Sequence, residues 1–210
     1  MVSAVTLRSP KDIIVATCGA VGRLDRTVVG AVSALHTRWP LMDRFAALLA
    51  DNAPELYALG FIAAWYGLDP DDEAGRESIV RSVLAGASAV ACARAIAQIA
   101  PRTRPFATSS VAIDRLVDHR PSDSFPSTHA AGSVAFVVGL GGQPTALVAL
   151  FGPLTVGVVA SRIYSGVHWP TDVVMGSVVG LSIGAYTRRA GLPSLRLLSV
   201  LITRLTPLLD

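Results

Sequence analysis

Charge is scarce in this chain. Only 16% of its 210 residues are Asp, Glu, Lys or Arg, where soluble domains carry about 25%. The deficit is gathered into long uncharged runs. Apolar residues make up 51% and mean hydropathy is +0.52, so a soluble globule fits poorly and a chain crossing a bilayer several times fits well. Lysine is reduced to Lys11 alone, and the net charge of +3 comes from scattered arginines. There is no basic block. Aromatic residues, 6% of the chain, are not interleaved with the arginines, which excludes a nucleic-acid surface. The only cysteines, Cys18 and Cys92, lie far apart without a CxxC. That argues against a zinc site and leaves two buried thiols as the plain reading. The run "DIIVATCGAVG" has the length of a signal-peptide core, but Asp12 and the following "RLDR" suit cleavage poorly, so residues 1–50 read as mature protein.

What is present is a series of apolar segments with punctuated ends. Residues 25–50 place apolar positions at roughly helical spacing, interrupted by Arg26, His36, Arg38, Asp43 and Arg44. This reads as one or two helices lying on the membrane surface, with Trp39 at the interface. Spanning candidates follow at 53–68, 78–99, 126–141, 144–163 and 170–187, against the roughly 20 apolar residues a crossing needs. The second is rich in Ala, Gly and Ser, and the fifth carries Gly176, Gly180 and Gly184 at four-residue spacing, as close-packing membrane helices do. Residues 194–209 are amphipathic, interfacial or a weak sixth span. The expected fold is an all-α, polytopic transmembrane bundle of about five or six spans. Its expected parts are an N-terminal interfacial amphipathic segment (1–50), a catalytic bundle (51–190) and an amphipathic C-terminal helix (191–210). If spans two to five all cross, the arginine-bearing loop 100–125, His129, Arg162, His168 and Asp172 share one membrane face.

Three stretches on that face carry chemistry. In "SFPSTHAAG", Pro126 marks a helix start, Ser127 and Thr128 stand where hydroxyls cap free N–H groups, and His129 falls in the first turn. A helix N-terminus binds phosphate readily, and a histidine exchanges protons near neutral pH. In "SRIYSGVHWPTD", Pro170 marks another helix start and Asp172 can reach back to His168, leaving the second ring nitrogen free as nucleophile or base. Arg162 stands six residues before His168, and its fork matches phosphate oxygens. In "PRTRPF", Arg102 and Arg104 sit in the polar loop, with Arg104 held extended by Pro105. Each stretch alone reads equally as an ordinary cap or a solvated arginine. Their convergence on one face of a membrane bundle is what makes a site.

These residues resemble the type 2 phosphatidic acid phosphatase superfamily of membrane lipid phosphatases, whose motifs run Lys-x6-Arg-Pro, Pro-Ser-Gly-His and Ser-Arg-x5-His-x3-Asp. The third is complete here from Ser161 to Asp172. The second is "PSTH", with Thr128 in the glycine place. The first keeps Arg104-Pro105 but has Ala97 where the lysine belongs, with Arg94 or Arg102 as possible substitutes. The flavour of the motifs is most similar to the bacitracin-resistance undecaprenyl pyrophosphate phosphatases.

The resemblance implies covalent catalysis without a metal or other cofactor. His168 would attack phosphorus, Asp172 would orient it, and His129 would serve as general acid and then base. Arg104, Arg162, Ser127, Thr128 and Arg102 would hold the phosphate. The implied substrate is a lipid (pyro)phosphate drawn from the bilayer, undecaprenyl pyrophosphate first. Phosphatidic acid, phosphatidylglycerol phosphate and other polyprenyl phosphates are alternatives, and an inactive lipid-binding relative or a transporter lies further off. The expected location is the plasma membrane, with the site facing outward.

Overall fold

The computed structural model describes residues 10–69, 71–108, 115–141 and 145–190, together with Val200. Its described part is helical throughout: α1 (Pro10–Ser33), α2 (Pro40–Asp51), α3 (Ala53–Gly67), α4 (Glu73–Ile99), α5 (Thr128–Leu140), α6 (Thr145–Tyr164) and α7 (Pro170–Ala190), plus a 3₁₀ turn over Pro105–Ala107. The five expected spans coincide with α3 to α7. The amphipathic stretch 194–209 lies outside the described residues, Val200 apart.

Local chemistry sets the boundaries. Asp72 accepts from the Gly75 N–H at 2.8 Å and starts α4. Ser127 accepts from the Ala130 N–H at 3.4 Å and starts α5. Proline occupies the first turn of α2 and α3, where its missing N–H costs no hydrogen bond.

The packing is inside-out by the standard of a soluble protein. Where α4, α5 and α7 meet, the buried residues are small: Ala85, Ala89, Ala93, Ala131 and Ala135. Large apolar side chains such as Leu59, Ile62, Leu84, Val156 and Leu181 point outward and are exposed. A face of that kind is stable against lipid, not water, and small residues let backbones approach. Gly176 and Gly180 carry this furthest: a Cβ would collide with the carbonyl oxygen of Ser127, the cap of α5, at Gly176 and with that of Ala131 on α5 at Gly180. Larger core side chains, Trp65, Ile79, Phe136, Leu140 and Phe151, fill the end of the bundle away from His129. Cys92 is unpaired and only half-buried, against the expectation of a buried thiol. The protein is a membrane protein. α4, and α6 from Ala146 to Tyr164, are each long and apolar enough to cross a bilayer on their own, whereas α3 and α5 have 15 and 13 residues.

The N-terminal region differs from the expectation in one respect. The helix expected from about residue 25 begins at Pro10, so the apolar run near residues 12–22 and the charged stretch after it are one 24-residue helix. α1 packs against α6 and α7, and α2 against α6 and α3. α2 leaves Leu41, Met42 and Phe45 exposed and buries Ala46, Leu49 and Ala50. The turn between them is tied to the end of α6: His36 Nε2 bonds the Tyr164 carbonyl at 2.7 Å, and Tyr164 donates to Asp43 at 2.8 Å.

Candidate active site

The site is built where the loop 100–127 folds over the turn 165–169 between α6 and α7. That turn is wholly buried from Ser165 to Trp169. Gly166, at φ 73°, takes the left-handed conformation that lets it reverse. The His168 N–H bonds back to the Arg162 carbonyl at 3.1 Å. The loop is stitched to it by Trp169 Nε1 donating to the Thr103 carbonyl at 2.9 Å and by the Leu116 N–H donating to the Ser165 carbonyl at 3.3 Å.

His168 is 3% exposed. Its Nδ1 lies 2.7 Å from the Ser124 carbonyl oxygen. A carbonyl can only accept, so Nδ1 carries the proton of the neutral ring and Nε2 carries the lone pair. Arg104 Nη1 stands 3.3 Å from that Nε2. Burial pushes the His168 imidazole down to about 4; Arg162 and Arg104 add to the effect and Asp172 opposes it. The ring is therefore neutral at pH 7, the form in which Nε2 can attack.

The orienting partner differs from the expectation. Asp172 Oδ2 lies 3.8 Å from His168 Nδ1, beyond hydrogen-bond range. It accepts instead from the Trp169 N–H at 2.9 Å, while Oδ1 accepts from Arg102 Nη1 at 2.6 Å. The Ser124 carbonyl holds the ring, and Asp172 is a fully buried negative charge beside it.

The two expected phosphate arginines on this side are inside the protein. Arg162 is 0% exposed and Arg104 is 6% exposed. Arg104 is anchored by three carbonyl or hydroxyl oxygens, of Val167, Ser122 and Asp123. Burial draws its guanidinium below the ordinary value, with Asp172 and Asp123 opposing, yet arginine remains a cation. Arg162 donates from Nη1 to the Ala50 carbonyl. Its Nε and Nη2, and Arg104 Nε, have no partner among the described residues. Buried donors without acceptors are costly.

Arg102, expected among the phosphate ligands, is placed elsewhere. Its fork bridges two carboxylates, Asp172 and Asp25, with Nη2 to Asp25 Oδ2 at 2.7 Å. Ser127 is fully buried and its hydroxyl caps α5, whereas Thr128 and His129 look into a cavity. That cavity, about 550 Å³, runs between α3, α4 and α5. Its walls are mostly apolar, with Tyr57, Phe61, Val83, Val90 and Phe136 among them, and Arg94 and His129 are its basic side chains. His129 lies within electrostatic reach of Arg162, His168, His119 and Arg104.

Sequence reasoning missed three residues that the fold brings to this region. Asp25 on α1 is 1% exposed and joins the site through Arg102. Ser124 acts through its backbone, which no residue type announces. His119 is half-buried in the loop, and burial, then Arg104, Arg162 and Arg115, push it down to about 4. Its place before "RPSDSFPS" was the available signal. Among the described residues no group of three or more His, Cys, Asp or Glu is placed to hold a metal ion.

The chain is similar to known proteins. The PAP2 superfamily model matches residues 78–194. The bacitracin transport permease protein BcrC of Bacillus licheniformis is 27% identical over 152 residues, 71% of this chain and 72% of that protein. The undecaprenyl-diphosphatase BcrC of Bacillus subtilis (strain 168) is also 27% identical, over 73% of this chain and 77% of that one. The decaprenylphosphoryl-5-phosphoribose phosphatase of Mycobacterium tuberculosis is 36% identical over 52% of this chain and 60% of its own length. In three dimensions, the transmembrane PAP2 type phosphatidylglycerolphosphate phosphatase of Bacillus subtilis superposes with a TM-score of 0.58 at 20% identity, covering 82% of this chain and 86% of that one. The superposition bears on fold alone. The family match takes in more than half of the chain, from α4 through α7 and every motif between, and the protein belongs to the PAP2 superfamily.

Proposed function

We propose that the protein is a membrane phosphatase that removes the terminal phosphate of a polyprenyl pyrophosphate, with undecaprenyl pyrophosphate the leading substrate. One observation carries this reading: the unpartnered N–H groups of two buried arginines, Arg162 and Arg104, beside a neutral histidine whose Nε2 carries the lone pair and faces Arg104. An anion with several oxygens satisfies those donors, and a phosphorus among them stands in reach of the nucleophile. The apolar cavity next to His129 suits the lipid chain. The similarity to the undecaprenyl-diphosphatase BcrC supports the choice of head group.

In the proposed reaction His168 Nε2 attacks the terminal phosphorus as the bridging P–O bond breaks. The electron pair leaves with the lipid phosphate, which takes a proton from His129. Arg104, which guards Nε2 in the free enzyme, turns its donor to a phosphate oxygen. The phosphorylated ring keeps its Nδ1 proton on the Ser124 carbonyl and is cationic, stabilised by the Asp172 charge. Water, deprotonated by His129, then attacks phosphorus; inorganic phosphate leaves and the ring becomes neutral again. Thr128 and the first N–H groups of α5 add donors for the phosphate.

A second reading, a phosphatase that removes a phosphomonoester from a sugar carried on a polyprenyl phosphate, is favoured by the 36% identity to the decaprenylphosphoryl-5-phosphoribose phosphatase. The plasma membrane with an outward-facing site is the location we propose: Arg188 and Arg189 end α7 at the opposite end from the site, as a cytoplasmic end does by the positive-inside tendency. The deciding assay is phosphate release by the purified protein in detergent, with chelator and no added metal, offering undecaprenyl pyrophosphate and phosphatidic acid in parallel. Release that requires His168 and prefers the pyrophosphate is expected. Release abolished by chelator rejects the metal-free route, and preference for phosphatidic acid rejects the substrate assignment.

A further inference from the structure

Behind the catalytic turn lies a polar knot of two buried carboxylates on one guanidinium, and two of its members, Asp25 and Arg102, take no part in the proposed reaction. Asp25, from the middle of α1, accepts three hydrogen bonds. Arg102 Nη2 donates to its Oδ2 at 2.7 Å, the Thr171 hydroxyl to the same oxygen at 2.6 Å, and the Thr171 N–H to Oδ1 at 3.1 Å. The last bond caps the first turn of α7 from a different helix, a task normally done by the preceding residue. Arg102 Nη1 meanwhile bonds the Thr171 hydroxyl at 2.7 Å and Asp172 Oδ1 at 2.6 Å, and its guanidinium lies over the Trp169 ring at 5.4 Å. The knot therefore runs from Asp25 through Arg102 to Asp172, two negative groups on one positive group.

An ion pair of Arg102 and the buried Asp172 alone would be neutral, and the negative charge beside His168 would be largely cancelled. Asp25 changes this. It competes for the same guanidinium, so the three groups together keep a formal charge of −1. Near-complete burial of both carboxylates, 1% and 0% exposed, makes that charge felt over distance. We propose that Asp25 is a positioning residue of the active site: it holds Arg102 and the start of α7 in place and, by sharing Arg102, preserves the negative charge of Asp172 that stabilises cationic His168. This rests on the assignment of His168 as the phosphorylated residue.

The charges that face His168 are Asp172 from α7, Arg162 from α6, Arg104 from the loop after α4 and His129 from α5. Single and double substitutions at the knot leave these four in place and change only what lies behind Asp172. The formal charge of the knot becomes 0 in Asp25→Asn and −2 in Arg102→Gln, and returns to −1 in the double variant. A mutation away from the chemistry can slow an enzyme by up to about 100-fold through misplacement, so a fall in rate alone does not identify the role.

The test is the titration of the His168 ring by NMR in full-length protein labelled at histidine, alongside the pH dependence of kcat/KM in all four proteins. Asp25→Asn is expected to lower the pH at which His168 protonates and to move the acid limb of the profile the same way, with kcat reduced about tenfold. Arg102→Gln is expected to move both upward. The double variant is expected to return close to the wild-type position, which a purely architectural role for Asp25 does not give. Superimposable titrations, or shifts of both single variants in one direction, overturn the proposal. The NMR arm needs no turnover. If the wild type hydrolyses neither lipid, the functional reading fails while the order of the four titrations still decides this one.

Discussion

Arg102 and Arg104 stand two residues apart in one loop, carry the same charge, and live in opposite surroundings. Arg104 is buried, is held by neutral oxygens, and keeps its Nε without a partner among the described residues. Arg102 keeps about a third of its side chain exposed and is taken up by two carboxylates. The difference separates a front that lacks negative charge from a rear that has it in excess. A guanidinium surrounded by dipoles waits for an anion, while one between carboxylates is already neutralised. In the proposed reaction the front binds and the rear supports, although a sequence motif presents both as loop arginines.

The strongest test of that division is the nucleophile itself. His168→Ala should leave no measurable phosphate release and no acid-labile phosphoprotein in rapid-quench experiments with labelled substrate. Labelled protein persisting in this variant would move the nucleophile elsewhere. Next comes the front: Arg162→Met should reduce kcat by about 10²–10³-fold, the usual cost of removing a preorganised donor to the reacting group. Arg162→Lys should recover little, because an ammonium does not replace the fork. Full activity of Arg162→Lys in steady-state assays would mean that only charge is needed.

Solution conditions sharpen the contrast further. His168 is held at about 4 against an ordinary 6.5, so the folded protein resists protonation that the unfolded chain accepts. Its contribution to stability is complete above pH 6.5 and is lost as pH falls toward 4. Thermal unfolding followed by circular dichroism should show Tm declining across that window, and declining less in His168→Ala. Equal slopes in the two proteins would place the responsible group elsewhere. The smallest effect is expected at the cavity mouth. Arg94→Ala should raise KM for a pyrophosphate lipid several-fold with kcat nearly unchanged, since an exposed cation contributes about 1 kcal/mol or less. A larger effect on kcat than on KM would bring Arg94 into contact with the transition state.

Much of this was legible in the sequence, and the boundary of what was legible is physical. Proline and hydroxyl punctuation placed the starts of α5 and α7 to within two residues, because caps are local chemistry. The spacing of Arg162, His168 and Asp172 put them on one turn for the same reason. Asp25 could not be found that way. Its partner Thr171 is 146 residues distant, and an aspartate in a helix among arginines looks like any solvated acid. The hand-over of His168 from Asp172 to the Ser124 carbonyl was also hidden, since every residue has a carbonyl and only the path of the loop selects one. Arg102 and Arg104 look equivalent in "PRTRPF" for the complementary reason: what distinguishes them is the charge brought up by other helices.

The glycine contact between α5 and α7 has a consequence for how this enzyme can change. At Gly176 and Gly180 the glycines face the Ser127 and Ala131 carbonyls directly, with only the Cβ atoms of Ala130 and Val134 beside them. The spacing between the helix start that bears His129 and the one that bears Asp172 is thus fixed like the jaw of a caliper. The opposite wall, on α3 and α4, is made of long side chains such as Tyr57, Phe61 and Val83 around open volume. Adaptation to a longer, shorter or stiffer lipid has to be written on that compliant wall, where exchanging side chains leaves the catalytic gauge untouched.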